Sequence, residues 1–253
     1  MEFSLKETVK GLFKKKEKKR IWELDAARGL CIIGVIIVHL LFDLRELFGL
    51  RFDTPLWFDM IQKYGGILFI VLSGICITLG KHHVIRGLIV AFCAGIITLV
   101  TLLMFRKEDG LYIFFGILHL LAFCMLTYGS YRRLPWPVIL VIGIAAVAAG
   151  IWFTTLTVEQ RFLFPIGLTY KGFMAGDYFP IFPNVGYFMI GVVLGRTVYK
   201  KKKTLFPKAN ENNVFIRFFS FFGRHSLLIY LVHQPLIYGV CSLVRYFAGV
   251  FKR

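Results

Sequence analysis

Long uncharged apolar runs constrain this chain more than any other feature. A hydrocarbon core about 30 Å thick requires about 20 apolar residues per helix. With 57% hydrophobic and 18% charged residues, the composition also excludes an ordinary soluble domain. We therefore predict an all-α, polytopic transmembrane helix bundle of about seven helices. The predicted spans are residues 24–42, 64–80, 84–105, 111–130, 137–156, 181–199 and 226–250.

The net charge of +17 follows the predicted topology and does not require a nucleic-acid partner. With a cytoplasmic N-terminus, 21 of the 31 Lys and Arg residues but only 6 of the 14 acidic residues fall on the cytoplasmic side. This asymmetry is the one that the positive-inside rule describes. We expect a multi-pass protein of the cell membrane, embedded in the lipid bilayer, with a cytoplasmic N-terminus and no nucleic-acid partner.

The chain divides into a basic cytoplasmic segment, 1–20, and a single transmembrane domain, 21–253. The basic cluster resembles the start of a signal peptide, but the following run contains Arg28 and His39 and lacks a small-residue cleavage site, so we predict an uncleaved helix. Residues 1–13 have the composition of a short interfacial helix, and 200–224 form a basic loop. All five cysteines lie in apolar runs, which predicts neither a disulfide framework nor a CxxC metal site.

The first predicted span carries a polar stripe. Its members are spaced by three or four residues, so they share one helix face over about 27 Å. Ionisable side chains inside a membrane cost about 2.5 to 3.5 kcal/mol each on insertion scales and by default mark function. The structural alternative is an interfacial ion pair at the cytoplasmic end and a histidine that is only hydrogen-bonded to another helix. The stripe comprises Asp25, Arg28, Ile32, Val35, His39 and Asp43.

Further polar candidates lie in other spans and at helix ends. His119 falls within the fourth span, and His233 and Gln234 precede Pro235 in the last. Asp53 and Asp177 lie in the predicted outer segments. A ring of arginines at the cytoplasmic helix ends reflects the topology, an anionic ligand, or both: Arg28, Arg86, Arg132, Arg133, Arg196 and Arg224.

Four segments carry a resemblance to a known family. They read RIWELDAARGLCIIGVIIVHLLFD (20–43), GILHLLAF (116–123), DYFPIFPNVGYFMIGVVLGR (177–196) and GRHSLLIYLVHQPLIYG (223–239). Together they resemble the bacterial relatives of the heparan-alpha-glucosaminide N-acetyltransferase catalytic domain. The ten residues between Arg28 and His39 are also similar to the first-helix motif of the transmembrane acyltransferases that modify cell-surface glycans.

The resemblance implies an acetyl-CoA-dependent membrane acyltransferase without a metal. Such an enzyme passes an acetyl group from cytoplasmic acetyl-CoA to an amino sugar or sugar hydroxyl of a glycan on the other face. His39 would be the general base and Asp43 would orient its imidazole. Asp53 and Asp177 are the candidates for binding the acceptor, and homo-oligomerisation stays open. Candidates for binding the donor are Arg28, His119, Arg132, Arg133, Arg224, His233 and Gln234.

One departure from the family pattern bears on the mechanism. The lysosomal members place an asparagine where this chain has His39, and carry their reactive histidine in the following loop. Here no histidine occurs between His39 and His82. The acceptor therefore cannot be carried over from heparan sulfate.

Two other classes of function compete with acyl transfer. A transporter or channel for a small anion or a lipid-linked intermediate would use the same buried histidines and arginines, but transporters more often show pseudo-repeats and broken helices. A non-enzymatic membrane scaffold leaves the polar stripe unexplained. Binding of acetyl-CoA is expected of the acyltransferase alone.

The charge asymmetry predicts which side of the membrane each loop occupies. In intact cells, an impermeant thiol reagent should label Asp53→Cys and should leave Leu205→Cys unlabelled until the membrane is permeabilised. The opposite labelling pattern would reverse the orientation and with it the expected direction of acyl transfer.

Overall fold

The described chain is a bundle of α-helices. A computed structural model describes residues 20–50, 53, 55–104 and 112–249, and no β-strand occurs in these ranges. The all-α class is therefore confirmed. A π-helical turn, Asp43–Leu47, continues the first helix, and a 3-10 helix, Arg161–Ile166, lies between the fifth and sixth. The α-helices are α1 Trp22–Phe42, α2 Leu56–Leu79, α3 His83–Met104, α4 Ile117–Tyr131, α5 Trp136–Phe153, α6 Ile181–Thr197, α7 Val214–Arg224 and α8 Ser226–Ala248.

Each of the seven predicted spans contains a helix, but the helices differ in length. Five of them, α1, α2, α3, α5 and α8, are long and apolar enough to cross a membrane. Helix α4 has 15 residues and helix α6 has 17. Their lengths, about 22 and 26 Å, are shorter than the thickness of a hydrocarbon core. The orientation of the bundle stays a prediction, and the interfacial helix predicted at 1–13 lies outside the described residues.

Helix α4 begins later than the sequence predicts because the segment before it pairs with another loop. The N–H of Phe179 donates to the carbonyl of Phe115 at 3.0 Å, and the N–H of Gly176 donates to that of Tyr112 at 3.3 Å. These bonds hold residues 112–116 in a non-helical conformation beside the segment that leads into α6. The apolar composition of 112–116 does not distinguish this pairing from a helical turn.

Glycines allow the helices to approach closely. A methyl group on Gly29 of α1 would overlap the carbonyl of Phe219 in α7, and one on Gly223 would overlap the carbonyl of Asp25. Gly74 and Gly191 make the corresponding approach between α2 and α6. Small residues at such crossings are typical of membrane helices, where close packing replaces the hydrophobic driving force.

Helix α7 was not predicted as an element, since its sequence was assigned to a basic loop. Asn213 begins it by accepting a hydrogen bond from the N–H of Phe215 at 2.9 Å. Its buried face is small and polar, with Ser220 and Gly223 against α1, while its outward face is apolar. The exposed apolar residues are Val214, Phe215, Phe218 and Phe221. An outward apolar face with flanking arginines is typical of a helix that lies in a membrane interface.

The crossing of α1 and α7 predicts a strong effect of added volume. Gly223→Ala should lower stability by about 1 to 3 kcal/mol, because the new methyl group meets backbone that must shift. Gly95→Ala is the matched control, since a methyl group there meets no atom within 4 Å. Thermal unfolding of the detergent-purified protein measures both, and equal midpoints would contradict this packing.

Candidate active site

The polar stripe on α1 faces α8, which supplies polar partners at both ends. Near the N-terminal end of α1, Nη2 of Arg28 donates to Oγ of Ser226 at 2.7 Å. The guanidinium also lies 5.9 Å from the ring centroid of Phe69 in α2. Its Nε is buried and has no hydrogen-bond partner in the described part of the chain. Arg28 therefore keeps one buried donor that no described residue uses.

A cavity of about 230 Å³ opens beside Arg28, between α1, α2, α3, α4 and α8. Two guanidinium groups line it, those of Arg28 and Arg86, and none of its lining residues carries a carboxylate. Ser73, Ser226 and Tyr230 add hydroxyl groups, and the remaining wall is apolar. A cavity with this lining favours a ligand that is partly anionic and partly apolar. The apolar lining residues are Phe69, Ile89, Val90, Leu118, Leu121, Met125 and Leu227.

Asp177, in the segment leading into α6, contacts the wall of the cavity through Tyr230. Its Oδ2 accepts a hydrogen bond from the hydroxyl of Tyr230 at 3.2 Å and from the N–H of Ile117 at 3.1 Å. Burial raises the pKa of Asp177 above the ordinary range of a carboxyl group, and these two hydrogen bonds partly oppose that shift. Through these hydrogen bonds, the carboxylate of Asp177 connects the segment before α6 with the wall of the cavity and with the start of α4.

One turn further along α8, two histidine rings meet. The ring centroids of His39 and His233 are 4.9 Å apart, and the planes are inclined at 64°. Nδ1 of His233 lies 2.6 Å from the carbonyl oxygen of Tyr230. A carbonyl can only accept, so Nδ1 carries the proton and Nε2 of the neutral ring is left as an acceptor. That Nε2 is buried and unpaired among the described residues.

Asp43 accepts hydrogen bonds from a side chain of α8. It is fully buried, and Nε2 of Gln234 donates to both of its carboxylate oxygens at 2.9 Å. The hydrogen bond seen in the structure thus comes from Gln234 and not from His39, for which the sequence predicted an orienting contact. An orienting role of Asp43 toward His39 stays a prediction.

His119 has a local structural role. The N–H of Gly116 donates to its Nδ1 at 3.3 Å, so its Nε2 carries the proton and donates to Thr98 at 3.1 Å. The hydroxyl of Thr98 in turn donates to the carbonyl of Ile113 at 2.7 Å. Both ring nitrogens therefore fix the entrance to α4, and donor binding by His119 stays a prediction.

Of the predicted site residues, Arg28 alone is among those that line the cavity in the described part of the chain. Arg132, Arg133 and Arg224 are exposed and do not line it, and Asp53 is exposed before α2. Nε of Arg224 donates to the carbonyl of Ser220 at 3.2 Å. The structure thus brings together Arg28, His39, Asp43, Asp177, His233 and Gln234.

Sequence reasoning did not select three residues of this site. Arg86 was one of six arginines predicted at the cytoplasmic helix ends, and its sequence context did not distinguish it from the others. Ser226 and Tyr230 carried a usable signal, because together with His233 they are spaced by four and three residues and share one face of α8. Helix α8 therefore also carries a polar stripe, and it contacts the polar stripe of α1.

Comparison with known proteins gives one family. The family described as heparan-alpha-glucosaminide N-acetyltransferase, catalytic, matches residues 20–235. No curated protein and no solved structure matches the chain. In the part of the chain that the structure describes, no group of three or more His, Cys, Asp or Glu residues could hold a metal ion.

Proposed function

The chain belongs to the heparan-alpha-glucosaminide N-acetyltransferase catalytic family, and from that premise we propose that it transfers an acetyl group from cytoplasmic acetyl-CoA to an amino group or hydroxyl of a glycan on the other side of the membrane. The observation that carries the proposal is a series of three polar contacts between α1, with the turn that follows it, and α8. It begins at Arg28 with Ser226 and ends at Asp43 with Gln234.

The cavity beside Arg28 is the proposed donor site. Its volume of about 230 Å³ is too small for a whole dinucleotide-sized cofactor, so only the narrow acyl-bearing arm enters it. The guanidinium groups of Arg28 and Arg86 then meet anionic oxygens of the donor at the cytoplasmic mouth. The unpaired Nε of Arg28 gives such an oxygen a donor that no described residue uses.

The cationic lining also explains why the donor stays on the cytoplasmic side. CoA carries several negative charges and does not cross a hydrocarbon core, so its phosphates remain with the arginines while the acyl group advances between the helices. Guanidinium groups suit this task because they donate several hydrogen bonds in one plane and keep their charge. The fixed phosphates would therefore set how far the thioester reaches.

His39 is the proposed general base. The acceptor nitrogen or oxygen forms a bond to the acetyl carbonyl carbon, the carbon–sulfur bond breaks, and the proton of the nucleophile passes to the imidazole of His39. From Arg28 to His39 the helix rises by about 16 Å, which separates the phosphate end of the donor from the reacting carbon. A long donor that is held at one end suits this separation.

Asp177 and Asp53 are the proposed contacts of the acceptor. Asp177 is the stronger candidate because it lies beside Tyr230 at the wall of the donor cavity, whereas Asp53 is exposed before α2. A carboxylate at that position suits the ammonium or hydroxyl groups of an amino sugar. The direction of transfer rests on the predicted orientation of the bundle.

Substitution of the cavity arginines tests the donor site. Arg28→Ala and Arg86→Ala should each weaken acetyl-CoA binding about 10-fold to 100-fold, because a hydrogen bond to a charged group contributes about 1.5 to 3 kcal/mol. Isothermal titration calorimetry on the purified protein measures this. Arg217→Ala, on the exposed side of α7, is the matched control and should bind normally. No binding by the unsubstituted protein would favour the transporter or channel instead.

Substitution of His39 tests the chemistry separately from binding. His39→Ala should lower acetyl transfer about 10²-fold to 10⁴-fold, the usual effect of removing a general base, while the dissociation constant for acetyl-CoA stays near that of the unsubstituted protein. Release of the CoA thiol with glucosamine as acceptor gives the rate. His225→Gln, at an exposed helix junction, is the control, and normal turnover by His39→Ala would reassign the base.

A further inference from the structure

His233 combines three features that its neighbours in α8 lack. Only 6% of the residue is exposed, its Nδ1 is fixed by the carbonyl of Tyr230, and its Nε2 is buried without a partner among the described residues. A buried acceptor without a partner costs free energy, because it has lost its hydrogen bonds to water. A structural histidine would be expected to use both nitrogens, as His119 does.

His233 lies between the proposed donor cavity and His39, the proposed general base. The carbonyl that fixes its Nδ1 belongs to Tyr230, which lines the donor cavity, and its ring meets His39, the proposed base of the acceptor. Along α8 the order is therefore donor cavity, His233, and then the Asp43 contact of Gln234.

We propose that His233 is a second catalytic imidazole, which takes the acceptor proton from His39 and delivers it to the departing thiolate of CoA. The inference rests on the proposed acetyl transfer and adds to it the route of the proton. Nδ1 stays protonated against the Tyr230 carbonyl throughout, so a proton that arrives at Nε2 makes an imidazolium ion that the carbonyl stabilises.

The step balances without any further reactant. A bond forms between the acceptor nitrogen and the acetyl carbon, and the carbon–sulfur bond breaks with its electron pair on sulfur. The nitrogen proton moves to His39, then to Nε2 of His233, and then to sulfur. The products are the acetylated acceptor and the free thiol, and both imidazoles return to their neutral forms.

The test compares two acetyl donors that differ in the thiol released. Acetyl-CoA releases a poorly acidic alkyl thiol, whose departure benefits from protonation, whereas S-phenyl thioacetate releases a more acidic thiol that leaves as the thiolate. With glucosamine as acceptor, His233→Gln should lower turnover of acetyl-CoA about 10²-fold or more and that of S-phenyl thioacetate less than about 10-fold. His39→Ala should lower both, because the acceptor must lose its proton in either case.

The variants are chosen to separate catalysis from folding. The amide of His233→Gln cannot relay a proton, and calorimetric binding of acetyl-CoA verifies its fold. A second variant, His233→Asn, repeats the comparison with a shorter amide, and His225→Gln is the control for both donors. In His233→Asn the amide nitrogen stands near the position of Nδ1, so it can still donate to the Tyr230 carbonyl. Equal losses with the two donors, or normal turnover of acetyl-CoA, would overturn the relay.

Failure of the relay and failure of the proposed function give different results. If the unsubstituted protein acetylates glucosamine and His233→Gln does so equally well, only the relay is wrong. If the unsubstituted protein binds no acetyl-CoA and acetylates nothing, the proposed function is wrong and the relay falls with it.

Discussion

The contact of α1 with α8 is the constraint on which the rest of the site depends. Unpaired charged and polar groups in hydrocarbon cost free energy, because nothing there replaces the hydrogen bonds of water. The polar face of α1 must therefore meet matching groups on a neighbouring helix. Helix α8 supplies them at both ends, with Ser226 for Arg28 and Gln234 for Asp43. The register of the two helices follows from these pairs.

The short helices α4 and α6 bring loop residues to this contact. Because neither helix has the length of a full span, the segments before them pair with each other beside the helix entrances. That pairing places Asp177 where its carboxylate meets both the start of α4 and the hydroxyl of Tyr230. Asp177, which the sequence assigns to an outer loop, thus contacts Tyr230 in the wall of the cavity. Arg28 and Arg86 line the same cavity.

Sequence patterns anticipated the helices better than their ends. The apolar runs located a helix in each predicted span because hydrocarbon solvation acts on every residue of a run. The start of α4 was missed, since apolar residues suit a non-helical segment and a helical turn equally well. Helix α7 was missed as well, although its phenylalanines recur at helical spacing, because its arginines and the lysines before it suggested a solvated loop.

By itself, the sequence determined the class of fold and the polar face of α1, because hydropathy and helical periodicity are local properties of the chain. It also determined the family, through four segments in a fixed order. Only the tertiary structure decided the pairing of these groups: Asp43 meets Gln234, His39 meets His233, and Arg86 rather than Arg132 joins Arg28 at the cavity. Such pairs depend on the rotation and depth of each helix in the bundle. Those are set by close contacts such as that between Gly29 and α7, which no single segment specifies.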